Sequence, residues 1–257
     1  MMRMAGLLEV CADSVCSAVN AARGGADRIE LCSALPLGGL SPDEDLFCMV
    51  RERIDIPVRV LLRPRAGDFL YDEDEFELLC RQASRFAGLG ADGIVIGMLN
   101  PDGTLDAERM SALMACGDGC GVTLHRAFDV CRDAHEALRT AKKLGVDTIL
   151  TSGQQARCAD GAPLLRELVS ESGEGLRILI GGGVNADVIR ALASQTGADA
   201  FHLSAKAVVP SGMEFRRENV PMGIPGLNEF ELWRCDEGAV RAAREALDAV
   251  CTARKEN

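Results

Sequence analysis

Two rhythms of apolar and polar positions run through the chain. Short apolar runs of four to six residues alternate with longer stretches in which apolar residues recur every three or four positions. The first rhythm is too short for a buried helix and suits strands covered on both faces; the second marks amphipathic helices. Four short runs follow a repeated signal. Gly25-Ala26-Asp27 precedes Arg28-Ile29-Glu30-Leu31, and Gly90-Ala91-Asp92 precedes Gly93-Ile94-Val95-Ile96. Gly145-Val146-Asp147 precedes Thr148-Ile149-Leu150, and Gly197-Ala198-Asp199 precedes Ala200-Phe201-His202-Leu203. Each Gly ends a helical stretch, where a left-handed residue is expected.

Four further strands are predicted between these copies, at Leu7–Cys11, Val58–Leu62, Val122–His125 and Arg177–Ile180. Helices are predicted over Ser14–Arg23, Pro42–Arg53, Asp72–Ala87, Ala107–Cys116, Ala134–Leu144, Ala162–Glu171 and Ala186–Gln195. Strict alternation demands a parallel sheet with crossover helices. Eight such units in 257 residues fit a single-domain (βα)8 TIM barrel spanning 1–257, with a doubly wound open sheet as the alternative. Beyond strand eight, Val208–Arg234 shows no clear period and contains Trp233, and a final helix is predicted over Glu237–Ala253. The extra segment is expected to cover the barrel mouth, to form a subunit contact, or to be a long loop.

Composition narrows the function classes. With 28 Lys+Arg against 39 Asp+Glu the net charge is −11, and no overall basic footprint for nucleic acid exists. The longest run of apolar residues plus Gly is seven, Gly93–Leu99, short of a membrane span. Glu9 interrupts Met4-Ala5-Gly6-Leu7-Leu8 before it could read as a secretory signal. The eleven cysteines show no CxxC or zinc-finger spacing, so they read as reduced cytoplasmic thiols.

Two apparent motifs carry no chemistry. Gly88-Leu89-Gly90-Ala91-Asp92-Gly93 fits GxGxxG, but it enters a strand instead of opening a helix, the reverse of a dinucleotide site. Asp72-Glu73-Asp74-Glu75 opens a long helix, where carboxylates favour the positive end of the dipole.

Barrel chemistry sits at the C-terminal strand ends, and here those ends are densely polar. Glu9 with Cys11, and Glu30 with Cys32, end strands one and two; Arg63 and Arg65 follow strand three. His125, Arg126 and Asp129 follow strand five, and Thr151 with Ser152 ends strand six. Gly181-Gly182-Gly183 follows strand seven, while His202 and Ser204 mark strand eight. If the protein is an enzyme, Glu9, Glu30, Arg63, His125 and Asp129 are the candidate catalytic groups. Arg65, Arg126, Thr151, Ser152, Gly182, Gly183, His202 and Ser204 are then the candidate binders of a small anionic substrate, phosphorylated ones included. Glu9 and Glu30 are expected to pair with Arg63, which would equally suit a structural ion-pair layer. Cys11 and Cys32 are read in matching places on neighbouring strands, about 4.8 Å apart. Two thiolates so placed suit Cu(I), although free Cys also serves as a small apolar filler.

Several blocks closely resemble the CutC family. They are Glu9-Val10-Cys11-Ala12-Asp13-Ser14, Gly24–Cys32, Arg63-Pro64-Arg65-Ala66-Gly67-Asp68-Phe69, His125–Asp129, Leu150–Gly153, Gly181–Gly183 and Ser211-Gly212-Met213 with Phe215-Arg216. The resemblance spans nearly the whole chain; Ala66 replaces a usual Gly, and Ala34-Leu35-Pro36-Leu37 a more polar loop. It implies a cytoplasmic (βα)8 barrel linked to copper homeostasis, a homo-oligomer (here a dimer), with copper ligands matching Cys11 and Cys32.

Overall fold

The computed structural model describes residues 6–217, 220, 222–223 and 226–256. Its first half runs β1 (Leu7–Ala12), α1 (Val15–Arg23), β2 (Arg28–Leu31), α2 (Glu44–Arg51), β3 (Val58–Leu61), α3 (Glu73–Gly88), β4 (Gly93–Ile96) and α4 (Ala107–Cys116). The second half runs β5 (Gly121–Leu124), α5 (Ala134–Leu144), β6 (Thr148–Thr151), α6 (Ala162–Ser172), β7 (Arg177–Ile180), α7 (Ala186–Thr196) and β8 (Ala200–Leu203). The eight parallel strands close in sequence order, β8 pairing with β1, so the fold is a (βα)8 barrel and not an open sheet. Among the described residues no helix is long and apolar enough to cross a membrane.

The repeat has a physical basis. Gly25, Gly90, Gly145 and Gly197 all take left-handed backbone, with φ between 80° and 95°. The Asp that follows reaches back to the preceding odd-numbered strand. Asp27 accepts from the Leu8 amide at 2.7 Å, Asp92 from Val58 at 2.8 Å and Asp147 from Val122 at 2.7 Å. In the fourth copy Asp199 instead meets the Arg177 side chain at 3.6 Å. Each copy therefore ends a helix and fixes the start of one strand against the next. The acidic start of α3 is a capping box formed by Asp72 and Glu75.

Between barrel and helices, Phe47, Phe86, Phe128 and Phe201 are fully buried, and Phe47 meets Phe86 edge-on with centroids 5.6 Å apart. Inside the barrel, each strand is staggered by about one residue against its neighbour. Inward side chains of alternate strands therefore share levels. From the N-terminal end upward, one level holds Glu9, Arg59 and Thr123, the next Glu30, Val95, Leu150 and His202, and the next Cys11, Leu61 and His125. Gly121 makes room for Arg59, since a Cβ there would lie 2.5 Å from its Nη2.

The segment after β8, where the sequence shows no clear period, includes a hairpin. It contains β9 (Lys206–Pro210) and β10 (Glu231–Cys235), paired antiparallel, with Lys206 Nζ 3.6 Å from the Trp233 ring centroid. The hairpin is tied to α1 by Asn20 Nδ2 donating to the Cys235 carbonyl at 3.0 Å and by the Cys235 amide donating to Ser17 Oγ. Within Val208–Arg234, residues 218, 219, 221, 224 and 225 lie outside the described residues, as do Met4 and Ala5 at the start. The last helix, α8 (Glu237–Glu256), packs beside α7.

Candidate functional site

Closure of the barrel sets β1 between β2 and β8, and the interior polar cluster forms there. Glu9, at the middle of β1, is fully buried. Arg28, its partner in register on β2, donates to Oε2 through Nε. His202, its partner on β8, meets Oε1 through Nδ1 at 2.8 Å. Burial alone would raise the Glu9 pKa, but Arg28 and His202 outweigh it and hold the carboxyl at about 2. Burial likewise opposes charge on His202, yet Cys11, Glu30 and the bond to Glu9 hold it well above its ordinary value.

Glu30 behaves differently. Burial pushes its carboxyl up to about 7, against the attraction of His202 and Arg28, and Oε2 has no hydrogen-bond partner. Its register partners are Cys11 on β1 and Arg59 on β3. Arg59 turns towards the barrel floor, where it grips Asp147 at 2.7 and 3.0 Å and Thr123 at 2.7 Å. Arg28 and Arg59 were not singled out from sequence. Each is a charged residue within a buried strand, and that was the available signal.

The expected pairing of Arg63 with Glu9 and Glu30 does not occur. Arg63 lies beyond the end of β3, and its guanidinium folds over the neighbouring loops. It donates to the carbonyls of Leu37, Gly39 and Gly67 at 2.8–3.2 Å and stacks on Phe69. Among the described residues it forms no ion pair. The counter-charge to Glu9 is Arg28.

The two cysteines are also not level. Cys11 lies opposite Glu30, so Cys32 sits one pleat farther along β2. Both are buried thiols donating weakly to carbonyls, Cys11 to Leu203 at 3.8 Å and Cys32 to Ala12 at 3.6 Å. Cys32 packs with Leu61 and Val95; burial, with the nearby Cys11 and Glu30, pushes its pKa well up. All eleven cysteines are unpaired.

His125 sits against Phe69, ring centroids 4.8 Å apart, in space kept by Gly97, where a Cβ would meet the imidazole at 2.5 Å. Its Nδ1 accepts from the Ala127 amide at 3.1 Å, which places the proton on Nε2, a buried donor without a partner. Burial and the charge of Arg63 push its pKa down to about 3. His125 is thus a neutral donor at physiological pH. The unfolded ring takes up a proton below about 6.5 while the folded ring refuses it until about 3, so this residue lowers stability as pH falls through that window. Ring NMR between pH 5 and 8 is expected to show His125 invariant while half-buried His135 titrates. A midpoint for His125 inside that range would overturn the assignment.

Arg126, Asp129, Thr151 and Ser152 do come together, but they satisfy one another. Asp129 accepts from Thr151 Oγ1, from Ser152 N and Oγ, and from the Gln154 amide, all within 3.1 Å. Arg126 pairs with Asp129 at 2.7 Å and donates to Ser152 Oγ at 2.8 Å. The Gly182 carbonyl is taken by the Cys158 amide at 2.9 Å, and Gly182 and Gly183 have φ of 95° and 84°. Ser204 stands half-buried just past β8. Arg65 is turned outward, bound to Glu75 and Asp68, and holds its loop to the start of α3.

A family model described as the CutC family matches residues 6–207. A Homo sapiens relative named copper homeostasis protein cutC homolog is 43% identical over 237 residues, covering 91% of this chain and 86% of the relative. A CutC family protein of Chromobacterium violaceum is 40% identical over 242 residues, covering 94% and 98%. A crystal structure of a copper homeostasis protein CutC from Streptococcus agalactiae superposes with a TM-score of 0.73 at 26% identity, covering 77% of this chain and 98% of that one.

Proposed function

The chain belongs to the CutC family, and from that premise we propose that it serves copper homeostasis by binding Cu(I) as cargo through Cys11 and Cys32. The observation that carries the reading is the pair of buried thiols on adjoining strands, Cys32 among them packed against Leu61 and Val95. Thiolates select a soft monovalent ion, and a dry site protects it from ligand exchange and oxidation. The upward shift of the Cys32 pKa means that capture displaces a proton, so affinity rises with pH. Eleven unpaired cysteines accord with a reducing compartment, and the proposal sets the protein in the cytoplasm.

The test is stoichiometric. Reduced protein is expected to bind about one Cu(I) per chain under competition with a Cu(I) chelator. The Cys11→Ser, Cys32→Ser double variant is expected to lose that ion while its other nine cysteines remain. A double variant that binds copper as the parent does would refute the assignment.

A further inference from the structure

Below the two thiols lies a donor set that the copper reading does not use. One oxygen each of Glu9 and Glu30 and a ring nitrogen of His202 lie within 4.8 Å of one another. Glu9 is fully buried and Glu30 is 6% exposed. Carboxylates enclosed so deeply are unfavourable unless every oxygen meets a donor or a positive charge. Glu9 meets that condition through Arg28 and His202. Glu30 does not, since Oε2 is buried without a partner and Arg59, its register neighbour, is bound to Asp147 and Thr123.

We infer that Glu9, Glu30 and His202 form a site for a divalent first-row transition ion inside the barrel. Two carboxylates and an imidazole suit zinc, cobalt or manganese and are too hard a set for Cu(I). His202 Nδ1 and Glu9 Oε1 face each other at 2.8 Å, and the ion takes the place of the proton now between them. Glu30 supplies the unused oxygen. Arg28 holds the other Glu9 oxygen, Oε2, through its Nε. The three ligands stand on β1, β2 and β8, adjacent strands of the closed barrel, so their spacing is held by backbone pairing. The His202 side chain, 11% exposed, is the member an incoming ion meets first. This site shares no ligand with the copper proposal.

Chelator-stripped, reduced protein is titrated with Co2+ and followed by absorption and calorimetry. The expected result is about one Co2+ per chain, with visible ligand-field bands and without the strong near-ultraviolet band of thiolate-bound cobalt. Glu30→Gln and His202→Asn are each expected to weaken binding about 100-fold or more. The Cys32→Ser variant, at the thiol that packs against Leu61 and Val95, is expected to leave it unchanged. Absence of binding, full affinity in Glu30→Gln, or loss only in the cysteine variant overturns the inference. Cu(I) binding is read in a separate titration, so either proposal can fail alone. Should the single variants not fold, Mn2+ added to the parent decides: the His202 ring resonances broaden while those of His135 stay sharp, and a sharp His202 signal overturns the site.

Discussion

Replacing Arg28 by methionine is expected to lower folding stability by about 3–5 kcal/mol at neutral pH, the usual result of stranding one member of a buried ion pair. Glu9 has no exposure, and its remaining partner would be His202 alone. The effect should depend on pH in a definite direction. Because folding lowers the Glu9 pKa from 4.5 to about 2, its contribution is complete above about pH 4.5 and is lost as pH falls through about 2. The gap between parent and variant is therefore widest at pH 7 and narrows below about pH 4.5. Urea unfolding at several pH values measures it. Glu9→Gln added to Arg28→Met is expected to recover part of the loss, giving a coupling energy by double-mutant cycle. A near-neutral Arg28→Met variant at pH 7 would mean that His202 holds Glu9 unaided, and the ion-pair account would have to be abandoned.

Asp129→Ala is the second large effect, again about 3–5 kcal/mol, and it distinguishes a structural carboxylate from a catalytic one. The side chain is only 5% exposed and receives backbone donors from Ser152 and Gln154. Gln154 holds φ of 56°, a conformation unfavourable for a residue with a side chain, and Asp129 is one of the groups that impose it. Removing the carboxylate leaves those amides without acceptors and releases Arg126. Amide exchange at Ser152 and Gln154 is expected to rise with the fall in stability. A stable Asp129→Ala protein with protected amides would show that the clamp is dispensable and return Asp129 to the list of groups kept for chemistry.

Both residues show where sequence reading succeeds and where it stops. Strand and helix alternation was legible because each strand is covered on both faces and each helix on one, and the Gly-Ala-Asp copies mark half of the junctions. Helix ends such as Ala107–Cys116 and Ala134–Leu144 follow directly from capping residues. The hairpin of β9 and β10 was missed because its strands are separated by twenty residues that show no period. In the site, Glu9, Glu30 and His202 were all candidates, but their association depends on β8 closing onto β1 across 193 positions. No local pattern encodes that closure. Arg63 was chosen over Arg28 as the partner of Glu9 because it follows a strand end. Levels in a barrel depend on stagger, which places Arg28 beside Glu9 and carries Arg63 past it. The same stagger separates Cys32 from Cys11 by one pleat, where equal counting from each motif made them level.

The four aspartates of the repeat have a consequence for how the barrel could be cut and rejoined. Each lies at the start of an even-numbered strand and ties it to the odd-numbered strand just before it, so every register reference is internal to a quarter of the barrel. A chain opened between quarters, for instance in the loop before β3 or before β5, keeps all four ties within continuous stretches of sequence. One opened between β3 and β4 turns the Asp92 tie into a contact between distant ends. The fold is in this respect modular, and circular permutants cut at the quarter boundaries should be the ones that refold readily.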